Sequence, residues 1–86
     1  TYEIVGLVTG YDEATGETIF EQRNRFFEGD VLEVVPPEGA YFTHEVHGLK
    51  NEYGEPVASA PHAKQVLRLN FGKRLPALTM LRKKRE

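Results

Sequence analysis

Apolar and polar positions alternate along most of this chain, and Gly, Pro, Asn or Asp interrupts the alternation every few residues. That pattern predicts short antiparallel strands. Residues 2–11 form the first run. Ile4 and Val8 are expected on one face and Val5, Leu7 and Tyr11 on the other, so the strand should be covered on both sides. Gly6 and Gly10 within it predict a bulge, a bend or a close backbone approach. Residues 12–16 end in Gly16, placed for a left-handed turn, so residues 2–11 and 17–23 read as a hairpin. In its second arm Thr18, Phe20 and Gln22 lie opposite Ile19 and Glu21.

Residues 26–30 turn the chain into a third strand, 31–35, which Pro36 and Pro37 end because proline cannot donate to a ladder. A fourth strand is expected over 41–49, a turn over 51–54, and a short extended piece over 56–58. Residues 65–71 form a strand with Leu67, Leu69 and Phe71 on one face and Val66, Arg68 and Asn70 on the other. A last short strand is expected over 77–81. Six or seven such strands predict an all-β fold, a small antiparallel β-barrel, closed or partly open, with a sandwich as the alternative.

The 86 residues suit one domain with one core. With no cysteine, the fold stands on packing alone, without disulfides or thiolate metal sites. No apolar run approaches the ~20 residues of a membrane span, and the composition suits the cytoplasm. The chain opens at Thr1 and enters a strand at once, which reads as a domain boundary, with whatever chemistry there is expected in a preceding portion.

Charge changes the picture more. Residues 1–63 carry Arg23, Arg25 and Lys50 against twelve acidic residues, 3 − 12 = −9. Residues 64–86 carry eight basic residues against Glu86, 8 − 1 = +7. The basic half is expected to be a solvated tail, a surface that docks on a sister domain, or a contact for an anionic partner. Nucleic acid is the specific form of that last option. Tyr41, Phe42, Tyr53 and Phe71 would offer stacking, and Arg68, Lys73, Arg74, Arg82, Lys83, Lys84 and Arg85 would meet phosphates.

Catalytic sets are thin. Ser59 is the only serine, and His62 follows it without a nucleophile elbow, so the pair reads as a polar turn. His44 and His47 are three apart, which on a strand puts them on opposite faces. They read as one half-buried and one exposed histidine and not as a metal site. The glycines form no phosphate-binding pattern, and the carboxylates are scattered.

One stretch carries more. Gln22-Arg23-Asn24-Arg25-Phe26-Phe27-Glu28-Gly29-Asp30, leading into Val31-Leu32-Glu33-Val34, resembles the C-terminal domain of the collagenase-like peptidase family, family U32. The opening Val5-Gly6-Leu7-Val8, Pro37-Glu38-Gly39, the turn at Gly54, Ala60-Pro61 and Met80-Leu81-Arg82-Lys83-Lys84 fit the same family in order. Read from chemistry, Asn24, Phe26, Gly29 and Asp30 form a fold motif: a loop asparagine, a core plug, a residue free to take positive φ, and a turn cap. Arg23 and Arg25 are the residues that would contact something outside.

The resemblance implies an accessory β-barrel that follows a larger catalytic domain, its first partner, and helps to recognise a protein or peptide substrate. Some relatives degrade collagen. Others hydroxylate bases of transfer or ribosomal RNA, which makes RNA the alternative partner; docking on the catalytic domain is a third role. The family's iron–sulfur cysteines lie in the other domain, so neither a cofactor nor a catalytic role transfers to this one. The acidic residue usual at the start of the glycine turn is Asn51 here, which argues against a cation there.

Overall fold

Turn residues cut the chain into strands too short to stand alone, and these must find partners far away in sequence. In the computed structural model, described for residues 1–85, they are β1 (Tyr2–Asp12), β2 (Glu17–Gln22), β3 (Val31–Val35), β4 (Phe42–Glu45), β5 (Lys50–Asn51), β6 (Val66–Leu69) and β7 (Met80–Lys84). All pair antiparallel in one sheet, ordered β4-β3-β7-β1-β2-β6-β5. The sheet curls into a half-barrel, all-β, with β4 and β5 at its edges. Its concave side holds Val5, Val8, Phe20, Phe26, Leu32, Val34, Leu67, Leu69 and Leu81, all fully buried. Phe20 lies at its centre, 6.0 Å from Phe26 and 6.3 Å from Phe71.

β1 is bulged twice. Against β7 its register slips between Ile4 and Gly6, and against β2 between Val8 and Gly10. The first slip turns Val5 and Gly6 toward the core together and leaves Ile4 and Leu7 on the outer side. The expected faces are therefore corrected: Ile4 does not side with Val8, nor Leu7 with Val5. Glycine suits position 6, because a Cβ there would sit 3.1 Å from both Leu81 Cδ1 and Phe20 Cδ2 and those core side chains would have to give way.

The stretch 22–30 closes one end of the half-barrel. Asn24 Nδ2 donates to the Ile4 carbonyl at 2.7 Å, continuing the β1 ladder where β2 has ended. Phe26 is buried against Phe20. Gly29 has φ +91, and Asp30 Oδ2 accepts the Phe27 amide at 2.8 Å. Glu28 reaches across to accept the amides of Gly48 at 2.9 Å and Leu49 at 3.0 Å. Gly48 itself has φ +79. That grip explains why the expected strand 41–49 divides. The chain leaves β4 at Glu45 and re-enters the sheet as β5 on the opposite edge. The expected piece over 56–58 contributes a single bridge, Lys50 to Pro56.

The last strand is also displaced from 77–81 to Met80–Lys84. Thr79 folds back on Pro76, its hydroxyl donating to that carbonyl at 2.7 Å, and Leu78 holds φ +71. A strand cannot begin before Met80 under those constraints. The basic run Arg82-Lys83-Lys84 is consequently no solvated tail. It lies in β7, between β1 and β3, and the Arg85 amide donates to the Thr1 carbonyl at 2.8 Å.

Three titrating groups report on these contacts. His44 packs on Phe71 with ring centroids 4.7 Å apart; burial, and then His47, push its pKa below the ordinary 6.5. The Gly48 and Leu49 amides hold the Glu28 carboxyl below its ordinary 4.5. Burial opposes ionisation of Asp30, but Lys83 and the Phe27 amide outweigh it and hold that carboxyl below 3.8.

In each case the unfolded chain binds protons more readily, so acid destabilises the fold. The His44 contribution is complete above pH 6.5 and is lost as pH falls toward its folded value. The carboxylate contributions are complete above about pH 4.5 and are lost below it. The melting temperature should fall modestly from pH 7 to pH 5 and steeply below pH 4, and His44→Gln should flatten only the upper leg. Gly6→Ala should destabilise by about 1–3 kcal/mol through overpacking, read from urea midpoints at unchanged m.

Candidate nucleic-acid interface

The basic half of the sequence is neutralised by the acidic half. Arg82 Nε meets Glu33 Oε1 at 2.7 Å, and Lys83 Nζ meets Asp30 Oδ2 at 2.8 Å. Arg68 Nη1 lies 2.8 Å from Asp12 Oδ2 and 3.5 Å from Glu17 Oε1. Arg74 Nη1 meets Glu13 at 2.7 Å, and Arg85 pairs with Glu3. Five of the eight basic residues in 64–86 thus contact carboxylates, and every one of those carboxylates comes from residues 1–63.

For Arg82–Glu33, Lys83–Asp30 and Arg68 with Asp12 and Glu17, burial explains why the pairs form, since half-buried cations and carboxylates are costly unless each finds a partner; Arg74–Glu13 is exposed. The bond from Arg68 holds the Asp12 carboxyl below the ordinary range and raises Arg68 in return. Burial opposes ionisation of Glu17, but Lys50, 3.0 Å away, and Arg68 prevail and lower its pKa.

Several cations are also covered by rings. The Arg82 guanidinium lies 4.2 Å from the Tyr2 ring and 5.5 Å from that of Tyr41. Lys73 sits 4.0 Å over Phe42, and Arg74 5.0 Å from Tyr11. Of the expected stacking residues, Phe71 is buried in the core and Phe42 packs against it; Tyr41 and Tyr53 stay exposed. Lys84 is exposed and has no ion pair among the described residues.

Two further cations, Arg25 and Lys64, lie on adjoining segments elsewhere in the half-barrel. The segment 59–65 runs beside 22–25. Gln22 Nε2 donates to the carbonyls of Ala60 at 3.2 Å and His62 at 2.8 Å, and the Lys64 amide donates to the Gln22 carbonyl at 2.7 Å. Arg25 Nη2 donates to Ser59 Oγ at 3.1 Å, and its guanidinium lies 5.4 Å from the exposed Phe27 ring. Ser59 is therefore engaged by Arg25, and His62 contributes its carbonyl to the fold. Neither Arg25 nor Lys64 meets a carboxylate among the described residues, whereas Arg23 pairs loosely with Glu21 at 3.3 Å.

Arg23 and Asn24 form one wall of an open depression of about 280 Å³ on the outer side of the sheet, floored by Ile4, Leu7 and Met80. Sequence patterning missed this feature, because only the bulge at Val5-Gly6 brings Ile4 and Leu7 to one side.

The remaining candidates have structural partners. His47 is exposed and pairs with Glu45, with Glu28 3.8 Å away. Among the described residues no group of three or more His, Asp or Glu side chains is placed to hold a metal ion. Asn51 closes its own turn, accepting the amides of Tyr53 and Glu55 on Oδ1. Among the described residues no helix is long and apolar enough to cross a membrane.

The model of the peptidase family U32 C-terminal domain matches residues 1–82. The tRNA hydroxylation protein P1 of Bacillus subtilis (strain 168) is 37% identical over 83 residues, covering 96% of this chain and 20% of that protein. The chain thus spans about a fifth of the length of that curated relative. Among solved structures, the C-terminal domain of a U32 peptidase-family protein of Geobacillus thermoleovorans superposes in two crystal structures. The selenomethionine variant gives a TM-score of 0.85 at 36% identity, covering 94% of this chain and 99% of that one. The second also gives 0.85, at 35% identity, covering 96% and 93%. With the family motif spread along the chain and the same half-barrel in these relatives, the chain belongs to the C-terminal domain family of the U32 peptidases.

Proposed function

We propose that this domain is a non-catalytic accessory module that positions an RNA substrate for the catalytic part of a cytoplasmic U32-family protein. The observation that carries the reading is the placement of its uncommitted cations. Internal pairing occupies most of the basic half, whereas Arg25 and Lys64 meet no carboxylate among the described residues and lie on the adjoining segments 22–25 and 59–65. Phosphates bind where cations are not already neutralised, and an exposed aromatic such as Phe27 adds a stacking surface. The relative whose name concerns transfer RNA supports RNA over a peptide as the substrate chain.

A docking role has an observation of its own. Leu78 is 66% exposed while holding φ +71, a conformation that disfavours any residue with a Cβ. An apolar side chain kept in solvent at that backbone cost suits a surface that the catalytic domain covers. Leu78→Gly should therefore stabilise the isolated domain by about 1 kcal/mol, read by denaturant titration, and weaken its association with a separately produced catalytic domain. Unchanged association would contradict docking at this residue.

The RNA reading is tested by titrating a fluorescent transfer-RNA anticodon stem-loop with the domain at low and moderate salt, beside a denatured-collagen peptide. Saturable binding that weakens steeply with salt is expected. Arg25→Ala and Lys64→Ala should each flatten the slope of log affinity against log salt by roughly one phosphate contact, and Lys84→Ala should leave it unchanged. Failure to bind RNA, with or without capture of the peptide, would contradict the RNA reading.

A further inference from the structure

The three central strands of the sheet are apolar on both sides. In β1, β7 and β3 the residues Val5, Leu81, Leu32 and Val34 fill the core, which turns the alternate positions outward. The register sets those positions in rows: Leu7, Met80 and Val35 lie side by side, and Ile4, Arg82 and Glu33 form the next row. Tyr2 and Val31 continue the same face one row further along β1 and β3, and Tyr41 approaches Arg82 from beside β4. Tyr2, Ile4, Val31, Tyr41 and Met80 are five of the eight large apolar residues exposed among the described residues, so the exposure is concentrated on this face. Together they expose on the order of 500 Å², as much as the largest apolar patch of an ordinary monomer, on a domain whose whole surface is 5112 Å².

The charge at the centre of the face is already met. Arg82 Nε donates to Glu33 Oε1 at 2.7 Å, and the Tyr2 and Tyr41 rings flank its guanidinium. An apolar surface can cover such a pair without stranding a charge, whereas a phosphate would meet a cation already occupied. Lys84 is the exception: it lies opposite Tyr2 in the register, exposed and without an ion pair among the described residues.

The occupant follows from area and tether. In this family the domain is C-terminal, so the rest of the polypeptide reaches it through β1, whose first residue, Tyr2, lies on this face. That rest is the larger part, since the chain spans 20% of its curated relative. The patch falls short of the roughly 800 Å² per partner used by stable complexes of free proteins, but it suits two domains of one chain, whose tether supplies a high effective concentration.

We propose that the catalytic part of the same U32-family protein docks on this outer face of β1, β7 and β3, covering it with an apolar surface and setting a carboxylate against Lys84. The inference rests on the docking reading above and extends it from Leu78, two residues before Met80, to a whole face.

Amide exchange at Phe20 and Val34, core residues of this domain, reads its stability both alone and inside the full-length protein. Docking stabilises the domain, so these amides should exchange at least about tenfold more slowly in the full-length protein. The double variant Val31→Thr/Met80→Thr should abolish that added protection and Lys84→Glu should reduce it, while each changes exchange in the isolated domain less than about threefold, because these side chains are exposed.

Added protection that survives the double variant would overturn the inference and leave docking at Leu78 standing. Protection that survives Lys84→Glu alone would overturn the carboxylate contact. Equal exchange in the two contexts would overturn the inference and the docking reading together. An isolated domain that sediments as a dimer, and as a monomer in the double variant, would assign the face to a second copy and overturn the inference. Loss of anticodon stem-loop binding in the double variant would assign it to RNA, with the same consequence.

Discussion

The insertion of the final strand between β1 and β3 is the constraint from which most of this structure follows. β1 and β3 are not neighbours in the sheet; they are joined through β7, the seventh strand in sequence order. β7 has little apolar content, with Leu81 its one core residue. Its remaining positions are mostly basic, and an unpaired cation at the centre of a sheet would be costly. The fold answers with carboxylates on the flanking elements: Glu33 for Arg82, Asp30 for Lys83 and Glu3 for Arg85. The opposite charges of the two halves of the chain are thus complementary within the fold, and the net charge of −2 is what remains after most of both signs have met.

The same insertion shapes the outer surface. β1 must follow β7 on one side and β2 on the other, and it does so with a separate register slip against each. The slip at Val5-Gly6 seats Leu81 in the core beneath Gly6 and turns Ile4 and Leu7 outward beside Met80. Asn24 then takes over the β1 ladder at the Ile4 carbonyl, which fixes the turn that carries Arg23 and Arg25. The depression, with Arg23 and Asn24 as its wall, is a by-product of closing the sheet, formed without a loop dedicated to it.

Much of this was legible in the sequence wherever local chemistry decided. The period-2 pattern of Thr18, Phe20 and Gln22 placed β2, the prolines bounded β3, and Leu67, Leu69 and Phe71 marked the buried side of β6. The stretch 22–30 pointed to the family because its asparagine, glycine and aspartate answer to local backbone geometry. Where long-range partners decided, the sequence was silent or misleading. A local turn misled as well: the run 77–81 looked like a strand by its apolar residues, whereas Pro76, Leu78 and Thr79 make a turn and the strand begins at Met80. The run 41–49 looked continuous, but the carboxylate of Glu28, some twenty residues away, draws Gly48 and Leu49 to the other edge. Arg82 and Lys83 resembled ligands for an anion because Glu33 and Asp30 are distant in the chain. The depression was illegible for the same reason: a bulge moves side chains between faces without altering composition.

Native-state amide hydrogen exchange of the domain tests most directly whether the basic run is a central strand that the fold consumes. The amides of Leu81, Arg82 and Lys83 should exchange as slowly as those of Phe20 and Val34, at the rate of global unfolding. Rapid exchange at 81–83 beside a protected β2 would mean that the run is detached, and would return Arg82, Lys83 and Lys84 to the surface as free cations.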